Sequence, residues 1–222
     1  MRTKLSLVLG GAASGKSALA EKLVLGSGLQ PVYLATAQAW DAEMEAKIAR
    51  HRIGRGQGWQ TIEAPLDLAP ALAGAHAGQA VLLDCATLWL SNHLLAGHDP
   101  EPQARALMAA LAACAAPVVV VSNEVGSSVV PENALARRFR QAQGELNQHL
   151  AAQAGLVVAV MAGLPMVLKG RMPEGAPGAG SCGCATGRPM RRRWWGGPTC
   201  PPICPMPRNW PGSRRICPPG PP

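Results

Sequence analysis

Eight residues, Gly10-Gly11-Ala12-Ala13-Ser14-Gly15-Lys16-Ser17, constrain this chain more than any other feature. They match the pattern G-x-x-x-x-G-K-[ST] and stand between an apolar run, Lys4–Gly10, and a stretch of helix formers, Ser17–Leu25. Strand, glycine-rich turn and helix in that order turn a pattern match into a physical site. Glycines let successive backbone N–H groups face inward around phosphate oxygens, and the helix that follows adds its positive end. Lys16 is placed to reach the β- and γ-phosphates, and the Ser17 hydroxyl to ligate Mg²⁺. The plain alternative is a Gly-rich turn with no ligand, but here every fixed position and both flanks are met.

The remainder of the chain repeats the same alternation. Pro31–Ala35, Trp59–Ile62, Ala80–Asp84, Pro117–Ser122 and Leu156–Met161 read as strands, the last of them the final one. Ala39–His51, Leu66–Ala75, Ala86–Leu95, Pro102–Cys114 and Ala134–Ala154 read as helices. Continuous apolar strands separated by helices imply an α/β fold of the P-loop kind, a mainly parallel sheet covered on both faces. Val81-Leu82-Leu83-Asp84 supplies an acid at the end of a neighbouring buried strand, where a metal would offset the cost of burying a charge. An equally simple reading makes Asp84 the N-cap of the helix that begins near Ala86.

Charge and cysteine separate a front part from a tail. Residues 1–170 carry 13 basic and 12 acidic residues, whereas 171–222 carry eight basic residues and only Glu174. The basic balance therefore belongs to the tail, and charge gives no reason to read the front part as a specific nucleic-acid binder. Five of seven Cys and thirteen of 21 Pro also lie beyond residue 170. Residues 1–170 read as one nucleotide-binding domain and 171–222 as a low-complexity, disordered segment, with a composition that also suits a GC-rich gene read out of frame. Cys182-x-Cys184 with Cys200-x-x-x-Cys204 has the ligand types of a zinc knuckle but poor spacing for one. Cys85 and Cys114 sit in apolar surroundings, as in a reduced cytoplasmic protein, and no apolar run is long enough to span a membrane. His76, His93, His98 and His149 have no mutual spacing that suggests a metal site and read as solvated or capping residues, and Trp40, Trp59 and Trp89 as packing residues.

A series of further segments, in order, narrows the reading. After the phosphate loop come Tyr33-Leu34-Ala35-Thr36-Ala37, Asp41-x-Glu43-Met44-x-x-x-Ile48-x-x-His51-Arg52 and Trp59-x-Thr61-x-Glu63. Leu83-Asp84-Cys85-x-Thr87-Leu88-Trp89-Leu90-x-Asn92, Ser122-Asn123-Glu124-Val125-Gly126 and Val130-Pro131-Glu132-Asn133 follow. Arg138-Phe139-Arg140, Asn147-Gln148 and Ala162-Gly163-Leu164-Pro165 complete the set. From about residue 5 to 169 the chain resembles the bifunctional adenosylcobinamide kinase / adenosylcobinamide-phosphate guanylyltransferases of cobalamin biosynthesis. It departs from them at Ala13, where Arg is usual, at Ser128 for Gly and at Gln141 for Asp.

The resemblance implies two reactions. ATP or GTP phosphorylates the aminopropanol hydroxyl of adenosylcobinamide; GTP then donates GMP to that phosphate, through a guanylylated histidine that corresponds to His51. Neutral imidazole is a good nucleophile near pH 7, and Arg50 and Arg52 flank it. On bare sequence His51 is equally a histidine at a helix C-terminus. By motif position Lys16 is catalytic, and Gly10, Gly11, Ala12, Ala13, Ser14, Gly15, Lys16 and Ser17 hold nucleotide. Ala35, Thr36, Ala37, Arg52, Ile53, Gly54, Arg55, Glu63 and Asp84 border it, with Ser17 and Asp84 toward Mg²⁺. Asn123 and Glu124, at the sheet edge where open α/β sheets bind ligands, are candidate corrinoid or metal contacts, with turn chemistry as the alternative. Family members are homo-oligomers, often trimers. A kinase without the nucleotidyl step, or a GTP-binding protein without turnover, would share the same loop.

Overall fold

A computed structural model describes residues 4–38, 58–127 and 129–173. The chain divides into two units, Met1–Cys182 and Gly183–Pro222, and all described residues lie in the first. The expected helix Ala39–His51, with Arg52, Ile53, Gly54 and Arg55 after it, lies outside the described residues, as does the tail from Glu174 onward with its cysteines.

Seven strands form one sheet: β1 (Leu5–Gly10), β2 (Gln30–Ala35), β3 (Gln60–Glu63), β4 (Gln79–Asp84), β5 (Val118–Asn123), β6 (Leu156–Met161) and β7 (Leu164–Lys169), in the order β3-β2-β4-β5-β1-β6-β7. The first six are mutually parallel and β7 runs antiparallel to β6. Helices α1 (Lys16–Leu25), α2 (Ala69–Gly74), α3 (Ala86–Leu95), α4 (Pro100–Ala113) and α5 (Ala134–Gln153) supply the covering layers. Side chains alternate between two cores, as the strand period of two requires. Leu5, Leu7, Val32, Leu34, Val81, Leu83, Val118 and Val120 face Leu72, Trp89, Leu90, Leu107, Leu111, Leu146 and Leu150 of α2–α5. Val8, Tyr33, Leu82, Val119, Val121 and Val158 face Leu19, Ala20 and Val24 of α1. Burial on both faces explains why the Val118–Val121 run needs no polar alternation.

Two sequence expectations change. Leu156–Met161 is not the last strand, because Ala162 and Gly163, with φ of 51° and 78°, make a two-residue turn into β7. Positive φ at both central residues is the hairpin-compatible type I′ geometry. The strand carries no sequence period because it is an exposed edge: Leu164, Met166, Val167 and Leu168 are all exposed, and Pro165 is tolerated only at such an edge. Helix α2 is also shorter than the expected Leu66–Ala75. Asp67 Oδ1 accepts from the Ala69 N–H at 3.1 Å and Pro70 lies in the first turn, which sets its start.

Candidate functional site

The C-terminal ends of the parallel strands share one edge, and the sequence-predicted residues within the described chain collect there. The loop Gly10–Ser17 leaves β1 and turns into α1, whose N-terminal backbone opens at Gly15 and Lys16. The turn requires left-handed backbone at Ala13 (φ 54°) and Gly15 (φ 94°). Gly10 cannot carry a side chain, since a Cβ there would lie 2.4 Å from Ser14 Oγ and 2.6 Å from the Val160 carbonyl. The loop is pinned from outside: Gly163 N–H donates to the Ser14 carbonyl at 2.9 Å and Glu124 N–H to the Gly10 carbonyl at 3.1 Å. Lys16 Nζ donates to the Gly11 carbonyl at 3.0 Å, folding its ammonium back over the loop. Ser14 Oγ is buried with no hydrogen-bond partner. A buried hydroxyl costs about 1–3 kcal/mol when left unpaired, so an oxygen-rich ligand seated in the loop fits the residues present.

Asp84 ends β4, but β4 does not adjoin β1; β5 lies between them, so the acid is one strand farther away than the sequence reading placed it. The capping alternative does not hold either. Cys85 is the N-cap of α3 and no side chain caps that helix, whereas Asp84 Oδ2 accepts from the Tyr33 hydroxyl at 3.1 Å. Beside it, burial first and the Asp84 charge second push the Cys85 thiol up to about 11, with Lys16 pulling weakly the other way. Ser17 at the head of α1 and Asp84 are oxygen donors of the kind Mg²⁺ prefers.

Thr36 is fully buried. Its Oγ1 donates to the Cys85 carbonyl and accepts from the Cys85 N–H, both at 2.8 Å, and its carbonyl accepts from Asn92 Nδ2 at 2.8 Å. The Thr36 hydroxyl thus latches β2 to β4 from inside the edge, while Ala35 and Ala37 lie on either side of it. Ala35 is level with Asp84 on one side and with Glu63 on the other. Glu63 is exposed at the end of β3, the far edge strand. Four strand spacings separate β3 from β1, roughly 19 Å of sheet. The edge therefore runs from a phosphate-loop end to an acidic end, with Asp84 between. His51, Arg52, Ile53, Gly54 and Arg55 lie outside the described residues.

Asn123 ends β5, in register with Gly10 of the loop strand. Glu124 Oε1 accepts from Gly126 N–H at 2.6 Å, so its carboxylate is engaged in the turn that was the alternative reading. Behind Asn123 lies a buried polar group to which the sequence reading gave no role. Thr87, Ser122, Gln143 and Asn147 are all nearly or fully buried. Three of them occur in the quoted segments. Gln143 does not, and its signal was a polar pair, Gln143 and Asn147, spaced i, i+4 on the buried face of α5.

Away from this edge, His93 corrects the expectation of solvated histidines. It is buried, with Nδ1 2.9 Å from His98 Nδ1 and Nε2 3.2 Å from the Leu66 carbonyl. A carbonyl only accepts, so His93 carries its proton on Nε2 and His98 donates from Nδ1. Desolvation lowers the His93 pKa, with His98 acting in the same direction and Asp67 opposing. Among the described residues no group of three or more His, Cys, Asp or Glu could hold a metal ion. Trp89 is a packing residue as expected, buried and donating Nε1–H to the Leu66 carbonyl at 2.8 Å. Trp59 packs edge-on to Tyr33 with ring centroids 6.2 Å apart.

The sequence matches the family described as "Cobinamide kinase / cobinamide phosphate guanyltransferase" over residues 6–168. It is 48% identical over 168 residues to the bifunctional adenosylcobalamin biosynthesis protein CobP of Pseudomonas aeruginosa, covering 74% of this chain and 96% of that protein. To the bifunctional adenosylcobalamin biosynthesis protein CobU of Escherichia coli it is 41% identical over 179 residues, covering 73% of this chain and 98% of that one. Among solved structures, the P4 protein of bacteriophage phi6 in complex with ADP overlaps at a TM-score of 0.41 and 15% identity, covering 74% of this chain and 53% of that one.

Proposed function

The chain belongs to the cobinamide kinase / cobinamide phosphate guanyltransferase family, and on that premise we propose how its residues divide the two transfers. The enzyme phosphorylates adenosylcobinamide with a nucleoside triphosphate, then joins GMP from GTP to the new phosphate and releases pyrophosphate. The observation that carries the assignment to residues is the sheet edge itself. A pinned phosphate loop with a buried, unpartnered Ser14 hydroxyl stands at one end, Asp84 in the middle and Glu63 at the other.

In the first transfer the loop amides of Gly10–Ser17 and the positive end of α1 hold the phosphates, and Lys16 swings from the Gly11 carbonyl onto the transferred group. Charge develops on the bridging oxygen as the bond to the leaving diphosphate breaks, and preset cations and N–H dipoles stabilise it. Ser17 and Asp84 would hold Mg²⁺, which would supply charge neutralisation. In the second transfer a neutral His51 nitrogen attacks the α-phosphate of GTP. A P–N bond forms, the bond to the bridging oxygen breaks, and pyrophosphate departs with its electron pair. A phosphate oxygen of adenosylcobinamide phosphate then displaces the histidine. By motif position Arg52, Ile53, Gly54 and Arg55 are assigned to the nucleotide, with Arg50 and Arg52 as cations. Ala35, Thr36 and Ala37 border the nucleotide, with the Thr36 hydroxyl kept in its latch, Glu63 meets the ribose or base, and Asn123 and Glu124 meet the corrinoid side.

The same reading makes the protein cytoplasmic, consistent with two free buried thiols, Cys85 and Cys114, and a homo-oligomer, a trimer by family resemblance. No helix among the described residues is long and apolar enough to cross a membrane. The domain is residues 1–170, with Met172 just beyond packing onto it, and the tail 171–222 carries no site. The test is transfer of label from γ-labelled triphosphate to adenosylcobinamide, followed by GTP-dependent release of pyrophosphate. Corrinoid that stays unlabelled, with nucleotide bound, would overturn the assignment.

A further inference from the structure

The buried polar group behind Asn123 closes on itself. Asn123 N–H donates to Thr87 Oγ1 at 2.7 Å, and Thr87 Oγ1 lies 3.5 Å from Ser122 Oγ. Ser122 Oγ donates to Asn147 Oδ1 at 2.6 Å, and Asn147 Nδ2 donates back to the Asn123 carbonyl at 3.0 Å. Gln143 Nε2 fixes the direction of the ring, since it donates to both Ser122 Oγ (2.9 Å) and Asn147 Oδ1 (3.0 Å). With the Ser122 proton committed to Asn147, the contact to Thr87 has one consistent sense, the Thr87 hydroxyl donating to Ser122. Helix α3, strand β5 and helix α5 thereby grip both backbone groups of one residue.

The residue so gripped has a side chain that the protein leaves unanswered: Asn123 Oδ1 is buried and has no hydrogen-bond partner. It stands at the end of β5, between the loop strand β1 and the Asp84 strand β4, level with Gly10. A buried amide oxygen without a donor is costly in the free protein, and a hydroxyl that binds there relieves the cost. We infer that the Asn123 amide oxygen accepts a hydrogen bond from the corrinoid hydroxyl and aims that hydroxyl oxygen at the terminal phosphate. The Thr87–Ser122–Asn147 ring, braced by Gln143, is the positioning device that presets it. This rests on the proposed kinase step. There, the hydroxyl oxygen bonds to phosphorus as the bond to the diphosphate breaks, and the hydroxyl proton passes to bulk water. The neutral amide keeps no proton; it orients. Thr87, Ser122, Gln143 and Asn147 touch no substrate and act through Asn123.

A double-mutant cycle on the full chain tests this. Thr87→Val removes the hydroxyl at constant shape and Thr87→Ser keeps it. In the kinase assay with adenosylcobinamide, Thr87→Val is expected to lower kcat at least tenfold with the nucleotide KM within about twofold. Thr87→Ser is expected to stay within about threefold of the parent. In an Asn123→Ala background, Thr87→Val should have no further effect on the kinase step. Multiplying effects of Thr87→Val and Asn123→Ala, or a Thr87→Val kcat within twofold of the parent, would overturn the inference. Should Thr87→Val fail to fold, Asn147→Ala takes its place with the same expectations. A parent chain that does not phosphorylate the corrinoid at all would instead overturn the kinase assignment.

Discussion

At the scale of single residues, the loop and the latch make different predictions. Lys16→Ala removes the charge that follows the transferred phosphate, so the phosphoryl-transfer rate should fall on the order of 10²–10³-fold while thermal stability barely moves. Thr36→Val leaves the Cys85 N–H and carbonyl without their 2.8 Å partner. It should cost about 1–3 kcal/mol, read as a loss of roughly 2–10 °C in Tm for a domain of this size. The Cys85 thiol is held neutral in the fold up to about pH 11 against an ordinary 9.0. The unfolded chain therefore releases that proton first, and stability should decline as pH rises from 9 toward 11, a decline absent in Cys85→Ala. The phosphate loop was legible in the sequence because its residue types and spacing, between an apolar run and a stretch of helix formers, encode a strand, a tight turn and a helix. The Thr36 latch was not, because its meaning depends on Cys85, 49 positions away, which only the β2–β4 pairing brings within reach.

Elements show the same division. Of the six parallel strands, five announced themselves through apolar runs, whereas the short β3 is Gln-Thr-Ile-Glu and has none; α5 is capped by Asn133, whose Oδ1 accepts from Leu135 N–H at 2.7 Å. Strand β7 had no such signal, being exposed and anchored by a turn. That turn strains Ala162 at φ 51°, a conformation costing an L-residue about 1–2 kcal/mol. Ala162→Gly should therefore raise Tm by a few degrees. Because Gly163 also holds the Ser14 carbonyl, the variant should leave nucleotide affinity unchanged, whereas a Pro at 163, which removes that N–H, should weaken it. The buried ring behind Asn123 was half legible. Its residues lie in quoted segments or at helical spacing, but a hydrogen-bond circuit crossing three elements has no linear signature.

For the whole molecule, the domain boundary can be placed more finely than composition allowed. Met172 packs against the α1-side core, so a chain ended after Pro173 should keep stability and both activities, whereas one ended after Gly170 should lose stability. Heat scans and the two transfer assays on both truncations check this. Acid should also act through the His93–His98 pair. The folded state holds His93 below its ordinary pKa, so its contribution is complete above about pH 6.5 and is lost as pH falls below that value. His93→Gln should flatten that part of the pH–stability curve.

The central claim is that one chain carries a kinase and a guanylyltransferase, the second working through His51. Purified protein mixed with Mg²⁺ and α-labelled GTP, then denatured, tests it most directly. The account predicts covalent label that is acid-labile, stable to base, and absent in His51→Ala. The same variant should still phosphorylate adenosylcobinamide from γ-labelled triphosphate. GTP that binds without leaving label, or label that survives in His51→Ala, would contradict it.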